Sequence, residues 1–137
     1  MSARLASASI PMLASETQAA EIFDELKNEI DGIELNGTDA LFIAYDRAGT
    51  KTAGNIIIPE KYTEDQLQGK AHLIVKMAEG CFTDEAMERF GKRRPKVGDW
   101  VVLDVNRSFG FHLGKRIARM GEIAFIRAII TRPDLVF

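Results

Sequence analysis

The sequence predicts a mainly β domain, a small barrel or sandwich, with an N-terminal amphipathic helical extension. Three observations predict it. From Asp39 onward, six short runs rich in β-branched, aromatic or aliphatic residues follow one another, separated by Gly, Asp and Pro. Ahead of them, Ile22, Phe23, Leu26 and Ile30 recur at helical spacing. The chain has 137 residues, 46% of them hydrophobic, enough to bury a core without disulfides or structural metal. Cys81, the single cysteine, offers no disulfide framework within the chain and suits a reducing compartment. No apolar run approaches the roughly 20 residues that span a bilayer, so no membrane association is expected.

In chain order, residues 1–15 are small and polar, are interrupted by Pro11, and read as an extended arm. Ser15 with Gln18 three residues later makes a capping box, and a helix from about Glu16 to Asp31 follows, ending near Gly32. Its apolar stripe must cover either the body of this domain or another copy. Ile22, Phe23, Leu26 and Ile30 are therefore candidate subunit-docking residues. Asn36-Gly37 marks a tight turn. The division expected is an arm and helix over 1–38 and a β domain over 39–137, with a long loop at 47–68. The strands expected are Ala40–Tyr45, Asn55–Ile58, Lys70–Met77, Trp100–Val105, Phe109–Leu113 and Phe125–Ile130. Between the third and fourth, Thr83 to Gly91 has the Thr, early acids and closing Gly of a capped helical turn. Gly98 is expected to take a positive φ in the turn before Trp100, itself a core residue.

Charge is unevenly spread along the chain. Residues 1–40 hold eight acids and two bases, a net of -6, while the remainder holds 16 bases and 12 acids, a net of +4. Arg89, Lys92, Arg93, Arg94 and Lys96 form the densest basic cluster, read as a solvated loop or a dock for the acidic arm. Arg93 and Arg94 thus join the subunit-docking candidates. Nucleic acid is not an expected partner, since Phe90 is the only aromatic interleaved with these bases. His72, His112 and Cys81 lie in separate segments without metal-ligand spacing, so no metal, cofactor or catalytic residue is expected. Phe109 to Gly114 lacks the spacing and the Lys of a phosphate loop, and reads as a strand with turns.

The most informative segment runs from Gly49 through Ile56-Ile57-Ile58-Pro59 into the polar stretch Glu60–Gly69. Three consecutive isoleucines sit between polar flanks too long for a tight hairpin. They are either a buried strand or an apolar hook on a loop, and Pro59, which cannot donate to a ladder, puts such a strand at an edge or at its end. Lys51-Thr52-Ala53-Gly54-Asn55-Ile56-Ile57-Ile58-Pro59 resembles the mobile loop of the co-chaperonin family typified by GroES, with its hydrophobic tripeptide. Ala40-Leu41-Phe42-Ile43 before the loop, Gly69 opening the next strand, and Lys96-Val97-Gly98-Asp99 ahead of a later one reinforce the likeness, which spans about Asp39 to Ile130.

The resemblance implies a small GroES-like β-barrel that self-associates into a ring, each subunit's loop docking on a chaperonin to cap its folding chamber. Ile56, Ile57 and Ile58 would be the docking residues, with Gly54 and Asn55 shaping the turn before them. No enzymatic activity is implied, and the protein would work in the cytoplasm. The sequence departs from the family in its helix-bearing extension, in a basic, helix-like stretch from Cys81 to Pro95, and in its tail from Arg132 to Phe137. These additions motivate an alternative on the same fold: a non-enzymatic bacteriophage virion protein, decorating or assembling a capsid, with capsid proteins as partners and the virion as its location.

Overall fold

The structure is a computed structural model that describes residues 14–46 and 70–136. Its centre is the run Asp39–Ala44 (β1), in which every residue from Ala40 to Ala44 is buried. Unbroken burial of this kind means that both faces of the strand are covered, in place of the alternation of a half-exposed strand. Strand β1 pairs antiparallel with Ala71–Met77 (β2) on one side and Arg116–Glu122 (β5) on the other. Trp100–Leu103 (β3) and Ile126–Ile130 (β6) extend the β2 side, and Phe109–Leu113 (β4) extends the β5 side. The result is a six-stranded antiparallel sheet in the order β4-β5-β1-β2-β3-β6. Among the described residues β4 and β6 do not pair with each other, so the sheet is open.

One face of the sheet is covered by Ala14–Glu25 (α1) and Lys27–Asp31 (α2). Ile22, Leu26 and Ile30 pack there against Leu41, Ile43, Leu73, Val75 and Trp100. The opposite face carries Phe42, Ile74, Val101 and Leu103, covered by Cys81, Met87 and Ile123 from the segments after β2 and β5. The short helix Asp84–Met87 (α3) starts as its sequence foretells, with the Thr83 hydroxyl accepting from the Ala86 N–H at 3.1 Å. Gly98 has the positive φ expected of it, 99°, a conformation that strains residues bearing a Cβ. Gly80 is fixed for another reason: a Cβ there would lie 2.2 Å from the Gly37 carbonyl oxygen, so two turns touch through bare backbone.

Five of the six expected strands are present, Phe109–Leu113 with the bounds expected and the others with ends shifted by at most two residues, and the expected run Asn55–Ile58 lies outside the described residues. Strand β5 was not foreseen. Arg116, Arg119 and Gly121 interrupt its apolar pattern, yet Gly114-Lys115 turns β4 back so that Leu113 faces Arg116. The expected single helix is divided at Leu26. Ala14 is already helical, which places Ser15 inside α1 instead of at its cap. Gln18 is consequently free for a different task, described below. At the other end, the Lys76 ammonium donates to the carbonyls of Ile30, at 2.9 Å, and Ile33. The ammonium thus sits at the helix C-terminal end, where the dipole favours a cation.

Candidate functional site

The segment singled out by its isoleucine triplet lies in sequence between Asp46 and Lys70, the described residues that flank it. Gly54, Asn55, Ile56, Ile57 and Ile58 lie outside the described residues; what the structure defines is the platform from which they depart. Both ends of that platform belong to neighbouring strands of the sheet centre. The Tyr45 N–H donates to the Ala71 carbonyl at 3.0 Å, and the Leu103 N–H donates to the Lys70 carbonyl at 3.0 Å. The Tyr45 ring meets Trp100 edge-on, centroids 5.4 Å apart. Entry and exit are thereby held to adjacent, buried backbone.

Gln18 completes the anchorage. Its side chain is buried, and its Oε1 accepts from the Asp46 N–H at 2.7 Å while its Nε2 donates to the Asp46 carbonyl at 3.5 Å. Asp46 follows β1, and one amide side chain meets both its backbone donor and its backbone acceptor. The sequence carried a signal for this. Gln18 lies four residues before Ile22, in register with Leu26 and Ile30, so it is a polar residue within the buried stripe. A buried amide needs partners, and here they are the root of the loop.

His72 sits under the same platform, fully buried and paired in register with Ala44. Burial is the main cause that lowers its pKa to about 4, with the nearby Arg119 charge acting in the same direction and the Lys70 carbonyl opposing both. The ring is neutral near pH 7, and its Nδ1 lies 3.2 Å from the Lys70 carbonyl, a donor contact in the Nδ1-protonated tautomer. Cys81 is held at the opposite end of β1, its thiol donating to the Asp39 carbonyl at 3.3 Å, and burial raises its pKa. The two side chains therefore form no nucleophile–base pair, and a buried, protonated thiol is a poor nucleophile. Among the described residues no group of three His, Cys, Asp or Glu side chains is placed to hold a metal ion.

The subunit-docking candidates have different fates. Ile22, Leu26 and Ile30 are buried against the chain's own sheet, so the helix is covered in cis and these three are core residues of their own subunit. Of the two covers open to the stripe, the body of the same domain is the one observed, through Leu41, Ile43 and Leu73. Phe23 is partly buried beside them. Arg93 and Arg94 are exposed but do not meet the acidic arm of their own chain. Arg93 lies 3.5 Å from Asp99, and Arg94 lies 3.5 Å from Asp84. Buried Asp99 also accepts from the Lys96 backbone and side chain, both at 3.0 Å, so part of the basic cluster secures the turn into β3. The acidic arm instead contacts the body through Glu25, which receives two hydrogen bonds from Arg116, at 3.2 and 3.1 Å.

No family model matches the chain, and no curated protein matches it. No helix among the described residues is long and apolar enough to cross a membrane.

Proposed function

We propose that this chain is a non-enzymatic docking protein of the co-chaperonin kind, in which Ile56, Ile57 and Ile58 enter an apolar groove on a chaperonin and the sheet is the body that carries them. The carrying observation is the anchorage of residues 46 and 70: a 47–69 segment with an apolar triplet between polar flanks departs from neighbouring, buried strands and is secured at its start by Gln18. A fixed root restricts where the triplet can reach. In this reading the open antiparallel sheet corresponds to the family's barrel, several copies act together, and ATP hydrolysis belongs to the partner.

The energetics suit reversible capping. Burying one Ile contributes roughly 1.5–3 kcal/mol, whereas ordering each loop residue costs about 1–2 kcal/mol. A single hook is weak, and several on one assembly gain from a raised effective concentration. Of the additions that motivated the virion alternative, the helix is covered within its own chain. Ile57→Asp tests the proposal. ATP-dependent association with a chaperonin, followed by co-sedimentation, should be lost while circular dichroism and the melting temperature stay at wild-type values. Unfolding of the variant would mean that the triplet is core, and retained association would mean that the contact lies elsewhere.

A further inference from the structure

The helix layer is acidic, whereas one cleft in the opposite layer is lined by basic side chains without an acid. On the helix side, Glu21 and Asp24 are exposed three residues apart on α1, and Asp31 is exposed at the end of α2. On the other side, a cleft of about 660 Å³ opens between the segment after α3 and strand β6. Its lining includes Arg89, Arg93 and Arg127 over an apolar floor of Phe90, Ile126 and Ile129, with no carboxylate among the lining residues. All three arginines are exposed, and two are oriented from behind: Arg89 donates to the Ala124 carbonyl at 3.3 Å, and Arg93 pairs with Asp99. The sheet stands between these acids and the cleft, so they cannot meet within one molecule. The acid that the helix uses on its own body is Glu25, next to Asp24 and already engaged by Arg116.

We propose that the Arg89–Arg93–Arg127 cleft receives the acidic helix face of a second copy of this chain. The occupant follows from charge complementarity: a planar guanidinium recognises carboxylates in a forked geometry, and the chain carries matching, unspent carboxylates on its opposite layer. Such a contact is heterologous, joining different patches on the two copies. It closes into a ring if the rotation per step allows and otherwise continues as a filament. The contact is independent of the isoleucine triplet and of the proposed chaperonin.

Sedimentation of the full chain tests this assembly. Raising salt from about 50 mM to about 500 mM should weaken association about tenfold or more, because exposed charge pairs are screened. R93E/R127E and E21K/D24K should each sediment as monomers while keeping a cooperative melt, lowered in R93E/R127E by the lost Arg93–Asp99 pair. An equimolar mixture of the two should assemble again, because the lysine-bearing helix fits the acidic cleft and the native helix fits the native cleft. Restored assembly on mixing supports the contact and also shows that both variants are folded. A wild-type chain that stays monomeric at low salt overturns the proposal, as does assembly that neither charge reversal weakens. Binding of inorganic phosphate or a single-stranded oligonucleotide in the cleft of a monomeric chain would also overturn it, in favour of an anion site.

Discussion

At the scale of single residues, burial decides chemistry. His72 titrates near 4 in the folded chain and at the ordinary 6.5 when exposed, so folding favours its neutral form. Above pH 6.5 the ring is neutral in both states. As the pH falls from there toward 4, the unfolded chain takes up the proton first and stability declines, by at most roughly 3 kcal/mol. In His72→Leu, thermal melts between pH 7 and pH 4 should decline less steeply than in wild type, and an equal slope would assign the acid sensitivity to other groups. The Lys70 carbonyl keeps its bond from the Leu103 N–H in that variant. Gly80→Ala is expected to do the reverse, harming the protein at every pH. Its Cβ would press on the Gly37 carbonyl, and such overpacking costs about 1–3 kcal/mol, readable as a lower denaturant midpoint.

At the scale of elements, the helical extension is held by apolar packing first and charge second. Leu26→Ala empties a buried site between helix and sheet and should cost about 2–5 kcal/mol. Arg116→Ala removes a pair in which Glu25 is still 40% exposed, and should cost under about 1 kcal/mol. Equal losses in equilibrium unfolding would contradict this ranking. Lys76→Met falls between them, since it strips the donor from two helix-end carbonyls. Gln18→Ala has a local signature: amide exchange at Asp46 should accelerate much more than in the strand centre. The helix was readable from Ile22, Leu26 and Ile30 alone, because a period of four residues is intrinsic to the element. Strand β5 was not, because Arg119 is buried only by virtue of tertiary acceptors, the carbonyls of Val105 and Ser108 at 3.0 and 3.4 Å.

At the scale of the molecule, the docking reading leaves residues 47–69 outside the core that the sheet and its two covering layers form. Replacing that segment with a short Gly-Ser linker should leave the cooperative melt within a few degrees of wild type, since each halving of a loop changes its closure cost by only about 0.6 kcal/mol. A collapse of the melt would place part of the segment in the core, against the docking reading.

The sequence by itself determined that the chain builds β-strands after Asp39, puts an amphipathic helix ahead of them, caps the turn at Thr83 and bends at Gly98, because periodicity, capping and backbone freedom are local properties. It also marked Ile56–Ile58 as unusual, because an apolar triplet between polar flanks needs a cover. The tertiary structure alone decided that the helix covers its own sheet, that Gln18 pins Asp46 instead of capping a helix, and that Arg116 and Arg119 belong to a strand. Those outcomes depend on partners far away in the chain, and a buried polar side chain does not declare its acceptor until the fold has brought it within reach.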